Sequence, residues 1–173
     1  IGLCLVGSEM CIRDSHYAAR RGDTKIVSLL VDAGVDVDAK ALHYAARRGD
    51  TKIVSLLVDA GVDVDAKTPD KETALYLAVR HWATGCVEVL LAAGASPNLR
   101  EIHGLTPLGV ALNIGHRRAW PLLLRAGAEI PANVTHPYIV RVRNAGGFKK
   151  YAQEHITRTV SYTHLTLPTN CVV

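Results

Sequence analysis

Long runs of apolar residues are absent from this sequence of 173 residues. No run reaches the ~18 residues that a helix needs to cross a bilayer, so the sequence predicts no membrane span and no membrane partner. The short apolar start lacks a basic lead-in and soon reaches Glu9, which is not typical of a signal peptide. With 49% apolar and 21% charged residues, the composition indicates one soluble globular domain with tails.

Motifs for chemistry are missing as well. The chain has no Gly-rich phosphate loop and no Cys-x-x-Cys pair, so the sequence predicts no catalytic residue, no metal ligand and no cofactor, and we expect no enzyme activity. Only Cys86 lies outside the two ends considered next, which leaves no disulfide framework. A reducing compartment fits this cysteine usage, and we expect cytoplasmic or nuclear localisation.

The two ends of the chain differ from everything between them. "LVGSEMCIRDS" at residues 5–15 and "VSYTHLTLPT" at residues 160–169 match the translation of a sequencing-library adapter and of its reverse complement. We therefore interpret residues 1–15 and 159–173 as non-native tails, and the remainder as an internal piece of a longer protein. Residues 16–158 keep 19 basic and 14 acidic side chains, a net charge of +5.

Internal repeats dominate the middle of the chain. "HYAARRGDTKIVSLLVDAGVDVDAK" occurs at residues 16–40 and again, without a change, at residues 43–67. Two divergent units follow at a spacing of 33 residues. The sequence therefore divides into four units, at residues 16–40, 41–67, 68–100 and 101–133.

The apolar pattern within each unit predicts two short helices. In the second unit, Leu42, Ala45 and Ala46 share one helical face, and Gly49 ends that helix. A second helix then carries a buried stripe of Ile53, Val54, Leu56 and Leu57. A single helix pair cannot bury its own apolar face, so neighbouring units must stack. In the later units, Thr73 and Thr106 are predicted N-caps, and Pro107 stands at the first helical position.

This recurring pattern resembles the ankyrin repeat. The residues that carry the resemblance are Thr73-Ala74-Leu75, Thr106-Pro107-Leu108, Ala45-Ala46, Gly49, Leu56-Leu57, Leu90-Leu91, Leu123-Leu124, Gly61, Gly94 and Gly127. The resemblance covers about residues 16–133. It implies an all-α solenoid of helix–turn–helix repeats with short β-hairpin connectors. Residues 134–158 leave the pattern and are predicted to form a C-terminal helical cap or a linker.

Three features depart from a regular array. The first two units are joined without the six residues "TPDKET" that separate Lys67 from Ala74, which shortens one connector. The identical tandem copies reflect either a recent duplication or an error of sequence assembly. Pro121 falls inside the second helix of the last unit, where it should kink the helix or delay its start.

Several conspicuous residues are predicted to be structural. His16 and His43 occupy a position beside the connector that suits a hydrogen-bonding role. Cys86 and Trp120 align with core positions of the other units. Asp36, Asp38, Asp63 and Asp65 are predicted to be solvated turn residues.

The candidate binding surface lies where the first helix of each unit ends. The resemblance implies that these helix ends face a concave groove beside the hairpin tips. The alternative is a solvated basic face favoured by the helix dipole. The predicted partner-binding residues are Arg20, Arg21, Arg47, Arg48, Arg80, His81, Trp82 and Asn113 at helix ends, and Asp70, Glu72, Ile102, His103 and Leu105 at hairpin tips.

The expected function is protein–protein recognition by a monomer that binds an acidic peptide or an acidic protein face, because guanidinium groups pair well with carboxylates. An alternative is a targeting or regulatory segment of a larger enzyme or channel. Binding to nucleic acid is not expected, since a net charge of +5 with interleaved Asp residues is a weak electrostatic footprint.

Overall fold

The structure, a computed structural model, describes residues 9–34, 37–130, 137–148, 150, 151 and 153. These described residues form nine helices: α1 (Glu9–Arg21), α2 (Thr24–Asp32), α3 (Ala39–Arg48), α4 (Thr51–Asp59), α5 (Ala74–Arg80), α6 (Thr84–Ala92), α7 (Pro107–Ile114), α8 (Ala119–Arg125) and α9 (Pro137–Asn144). Helix α1 begins within the predicted N-terminal tail, whereas residues 1–8 and the predicted tail at 159–173 lie outside the described residues.

The helices of residues 1–131 are arranged in two rows. The first helices of the units, α1, α3, α5 and α7, pack side by side in chain order, and so do the second helices, α2, α4, α6 and α8. Within each unit the first helix also packs against the second. This is an all-α repeat solenoid, and the predicted fold class is confirmed. It follows from the pattern of apolar residues, because each pair buries its stripe against the next pair.

The predicted helix boundaries are confirmed at the later units. The Thr73 hydroxyl accepts a hydrogen bond from the Tyr76 N–H at 3.2 Å, and Thr106 accepts one from the Gly109 N–H at 3.1 Å. Gly49 ends α3 in the left-handed conformation, with φ of 82°. Glycine adopts this conformation without the steric cost of a Cβ.

The core combines small and large residues. Ala45, Ala46, Ala74 and Ala78 are fully buried in the row of first helices, where their small methyl side chains let neighbouring helices approach. Larger residues fill the space between the rows: Leu42, Ile53, Leu57, Leu75, Leu90, Leu108 and Leu123 are all fully buried.

Pro121 delays the start of the second helix of the last unit, which is one of the two outcomes that the sequence predicts. In register with α6, which begins at Thr84, helix α8 would begin at residue 117, but it begins at Ala119. Pro121 then stands in the first turn of α8, where a backbone N–H has no acceptor within the helix. Trp120 is buried as expected, and its Nε1–H donates to the Ala111 carbonyl at 3.1 Å.

Tight hairpins connect the later units. The Thr68 N–H donates to the Glu72 carbonyl at 2.9 Å, and the Glu101 N–H donates to the Leu105 carbonyl at 3.1 Å. The Ile102 N–H also donates to the Asp70 carbonyl at 3.1 Å and so joins the two hairpins. So few ladder bonds do not build a strand, and none is formed within the described residues. Asp38 caps α3 directly, consistent with the missing six residues before Ala41.

Residues 132–173 form a separate compact unit. Its described part contains α9 and a turn at Gly146 and Gly147, after which residues 148, 150, 151 and 153 are again helical. The proposed role of the segment as a cap stays a prediction.

The identical copies provide a matched test of stacking. Ile53 is fully buried, whereas Ile26, its equivalent in the first copy, is 45% exposed. We expect Ile53→Ala to lower the free energy of unfolding by about 2–5 kcal/mol, because it removes buried methyl groups and leaves a cavity. Ile26→Ala should cost less than about 1 kcal/mol. Urea denaturation followed by circular dichroism measures both, and equal losses would contradict the unequal burial.

Candidate functional site

Basic residues end the first helix of three successive units. Arg20 lies in the last turn of α1, Arg47 in the last turn of α3, and Arg80 at the end of α5. Because α1, α3 and α5 pack side by side, these ends form a row, and all three arginines are exposed. We call Arg20, Arg47, Arg80 and His81 the basic row. Cations at helix C-termini are favoured by the partial negative charge of the helix ends.

The pKa of His81 is affected by positive charges from two different units. Its pKa is lowered, first by partial burial and then by the positive charges of Arg47 and Arg80, which belong to different units. Partial burial and the two arginine charges thus favour the neutral form of the His81 imidazole.

Arg48 has a different role from its neighbour Arg47. Its Nε donates to the Asp50 carboxylate at 2.7 Å, and its Nη1 donates across the unit boundary to the Arg20 carbonyl at 3.3 Å. A Cβ added to Gly22 would lie only 2.7 Å from Arg48 Nη2, so this glycine makes room for the guanidinium. Arg48, grouped by sequence with the partner-binding residues, thus holds the first two units together.

Arg21 is the equivalent of Arg48 in the first unit, but it has other neighbours. Its guanidinium carbon lies 5.4 Å from the centroid of the Tyr17 ring, within the range of a cation–π contact. Arg21 also lines a crevice at the outer side of α1 and α2. The structure therefore places Arg21 away from the basic row.

Arg80 and Glu72 pair with each other. The Arg80 Nη1 donates to the Glu72 carboxylate at 2.6 Å, which links the end of α5 to the first hairpin. Half of the Arg80 side chain stays exposed. The sequence predicts Arg80 and Glu72 as two separate partner-binding residues. In the fold they form an ion pair, which neutralises part of the positive charge of Arg80.

Trp82 occupies a position that is glycine in the other three units. Its φ is 62°, in the left-handed region, which costs an ordinary residue roughly 1–2 kcal/mol. The ring is 57% exposed and lies 4.7 Å from the His116 ring, centroid to centroid. Trp82, one of the predicted partner-binding residues, is thus exposed at the surface.

The His116 ring packs against the Trp82 ring. His116 is not among the residues that the sequence predicts for the site. The residue is buried, and its Nδ1 donates to the Val79 carbonyl at 3.1 Å. The Thr84 hydroxyl lies 3.1 Å from Nε2. Both contacts join the third unit to the fourth, so the rigid support of Trp82 comes from the next repeat. Nothing local to His116 in the sequence signals this contact.

Apolar side chains are exposed at the tip of the second hairpin. Ile102 is 56% exposed and Leu105 is 36% exposed, with His103 exposed between them. The Glu101 carboxylate fixes this turn by accepting from the Leu105 N–H at 3.1 Å. Burial raises the pKa of Glu101, but the backbone N–H groups of His103 and Leu105 outweigh it, and the pKa is lowered overall. Asp70 and Asn113 are exposed on the first hairpin and on α7.

His43 and Cys86 are placed as predicted, Asp36 lies outside the described residues, and Asp65 requires a correction. The His43 Nε2–H donates to the Ala66 carbonyl at 3.0 Å, and Cys86 is buried, which raises the pKa of its thiol. Asp65 was predicted to be a solvated turn residue, which is wrong: its carboxylate accepts from the Ser96 N–H of the next unit at 2.8 Å. Asn98, one unit further on, accepts from the Glu129 N–H at 2.8 Å.

Two kinds of site have no counterpart in the part of the chain that the structure describes. No group of three or more His, Cys, Asp or Glu side chains there has the arrangement of a metal site. No helix there is long and apolar enough to cross a bilayer.

The fold and the family comparison define one class of protein. A family model described as "Ankyrin repeats (3 copies)" matches residues 15–101 and 42–134. The chain therefore belongs to the ankyrin repeat family, whose repeats are protein–protein interaction modules.

Two curated relatives extend this comparison. The chain is 40% identical over 65 residues to the B-cell lymphoma 3 protein homolog of Mus musculus, an alignment that covers 35% of this chain and 14% of that protein. It is 44% identical over 115 residues to the Ankyrin repeat and SOCS box protein 11 of Danio rerio, covering 66% of this chain and 29% of that protein. The chain thus spans less than a third of the length of either relative.

Three histidines with lowered pKa values predict a loss of stability in acid. Burial is the main cause that lowers the pKa of His16, His43 and His81 below the usual value of 6.5. As the pH falls below 6.5, the unfolded chain binds protons before the folded chain, so unfolding becomes easier. Stability should be full above pH 6.5 and decline as the pH falls through the folded pKa values.

The most buried of the three, His43, should contribute most to this decline. We expect His43→Gln, which keeps a donor near the Ala66 carbonyl, to flatten the dependence of Tm on pH between pH 7 and about pH 5. Thermal denaturation of both proteins at several pH values provides the measurement. An unchanged slope in the variant would show that His43 does not titrate during unfolding.

Proposed function

We propose that these repeats bind another protein through the basic row together with Trp82 and the hairpin tips. The observation that carries the proposal is the row of exposed arginines formed by Arg20, Arg47 and Arg80, which end the helices α1, α3 and α5 that pack side by side. Asn113 lies at the matching helix position of the last unit and extends the same line of exposed polar residues.

The partner that fits the basic row has an acidic face or an acidic peptide segment. Arginine offers a planar fork of donors that matches a carboxylate, and it keeps its charge at any physiological pH. Arg20 and Arg47 are exposed at the ends of neighbouring helices. Half of the Arg80 side chain is exposed to solvent although it pairs with Glu72. Carboxylates spaced along a peptide would therefore meet several cations in turn.

Apolar anchors beside the row would add affinity. Trp82 is more than half exposed and is held by His116, and Ile102 and Leu105 are exposed on a fixed hairpin. Rigid aromatic residues are common among the residues that dominate binding energy at interfaces. We propose a partner that carries apolar side chains next to acidic ones, with Asp70 and His103 contributing polar contacts at the tips.

The segment is proposed to act as a monomer without catalytic function, in the cytoplasm or nucleus. A second candidate is a targeting or regulatory part of a larger enzyme or channel. It is favoured by the fact that the chain spans only 14% and 29% of the two relatives. The name of the Danio rerio relative also joins ankyrin repeats to a SOCS box.

Charge reversal at Arg47 tests the proposed surface. Peptides enriched from a random display library on the full chain would be measured by fluorescence anisotropy. We expect the enriched peptides to be acidic and Arg47→Glu to weaken them about tenfold or more, equivalent to about 1.4 kcal/mol. Lys52→Glu, an identical charge change at an exposed position on α4 in the other row, should change affinity by less than about twofold.

The outcomes separate a defined site from general attraction. Equal losses in Arg47→Glu and Lys52→Glu would show that only net charge matters and would contradict the proposed surface. Enrichment of neutral or basic peptides would contradict the acidic partner. Both variants should keep the melting temperature of the unmodified chain, because neither side chain lies in the core.

A further inference from the structure

In the part of the chain that the structure describes, two residues other than glycine have positive φ angles, and both belong to the third unit. Lys71, at the tip of the first hairpin, has φ of 58°, and Trp82, after helix α5, has φ of 62°. This left-handed conformation brings the Cβ of an L-residue too close to the backbone carbonyl oxygen, and glycine alone avoids the clash. The backbone is therefore strained at both positions.

The second hairpin has glycine where the first has Lys71. The Lys71 N–H donates to the Thr68 carbonyl at 2.8 Å, and one unit later the Gly104 N–H donates to the Glu101 carbonyl at 2.9 Å. Gly104 has φ of 81°, so the two tips have the same turn. The turn therefore does not need lysine in order to form.

The other units have glycine where the third has Trp82. Gly22, Gly49 and Gly115 occupy this position in the first, second and fourth units, with φ of 79°, 82° and 74°. The Trp82 ring contacts the His116 ring at 4.7 Å, yet the residue is still 57% exposed. Packing within the chain therefore uses less than half of the tryptophan surface.

An ion pair brings the two strained residues to the same part of the surface. Glu72 follows Lys71 in the first hairpin, and its carboxylate accepts a hydrogen bond from Arg80 Nη1 at 2.6 Å. Arg80 ends α5 and lies two residues before Trp82. The strain of the third unit is therefore concentrated where the hairpin meets the end of its first helix.

We propose that Lys71 and Trp82 determine which partner this surface accepts. Lys71 pairs with a carboxylate of the partner, and Trp82 packs against an apolar or aromatic side chain close to that carboxylate. The inference rests on the function proposed above and adds Lys71 to its residues. Strained backbone positions cluster at binding sites, where the side chain has a role that glycine cannot fill.

The surroundings of the two residues fit this partner. Lys71 is exposed and forms no ion pair with any described residue, whereas the charge of Arg80 is partly neutralised by Glu72. Ile102 is 56% exposed and lies beside the first hairpin, because its N–H donates to the carbonyl of Asp70. An available cation therefore lies next to apolar surface, and a tryptophan supported on one side is a common anchor of binding energy.

Replacement by glycine separates the effect of each residue on folding from its effect on binding. The probes are the peptides enriched on the full, unmodified chain. We expect Lys71→Gly to raise Tm by about 2 °C, because the strain is removed, and to weaken the peptides about fivefold or more. Trp82→Gly should weaken them about tenfold or more, while relief of strain keeps the loss of Tm below about 2 °C.

A swapped variant controls for charge and for strain. Lys71→Gly combined with Gly104→Lys keeps the composition and the net charge of the chain, and it moves the strained lysine to the tip of the second hairpin. We expect the affinity to stay as low as in Lys71→Gly alone. The gain in Tm should disappear, because Gly104 also has a positive φ.

The outcomes distinguish this inference from the proposed function. If Arg47→Glu weakens the peptides but both glycine variants bind within about twofold of the unmodified chain, the basic row stands and this inference is overturned. Recovery of affinity in the swapped variant, or a lower Tm for Lys71→Gly, would overturn it as well. A library that yields no binding peptide would contradict both.

Discussion

The burial of one helix pair against the next is the interaction on which the rest of this structure depends. A pair of short helices cannot cover its own apolar stripe, so each unit is completed by its neighbour. Ile26 and Ile53 show this directly, since the same residue in the same sequence is exposed in one copy and buried in the other. Stability is therefore a property of boundaries between units.

Polar contacts fix the offset at which neighbouring units pack against each other. Asp65 and Asn98 each bind a backbone N–H of the following unit, and His116 bridges the third and fourth units through Val79 and Thr84. These groups are satisfied only when neighbouring units meet at one offset, because a buried polar group without a partner is costly. The same register lines up the helix ends that carry the basic row.

Arg47 and Arg48, adjacent at the end of α3, differ in role: one belongs to the surface proposed for partner binding, and the other contacts the neighbouring unit. Arg47 is exposed and contributes charge to the surface proposed for partner binding, while Arg48 pairs with Asp50 and binds the unit before it. Successive residues of a helix point about 100° apart, so one faces outward and the next faces the neighbouring unit. At the end of α3, the basic pair thus combines a contact to the neighbouring unit with a residue of the surface proposed for partner binding.

The sequence by itself determined the repeat length, the helix pairs, the caps at Thr73 and Thr106 and the late start of α8, because these depend on local periodicity and backbone chemistry. Only the tertiary structure decided that Arg48 rather than Arg47 bonds to the neighbouring unit, that Arg80 neutralises Glu72, and that His116 supports Trp82. It also decided that two identical stretches have unequal burial. Each of these features depends on contacts between residues of different units or elements. The pattern of residues along one segment does not show which other segment packs against that segment.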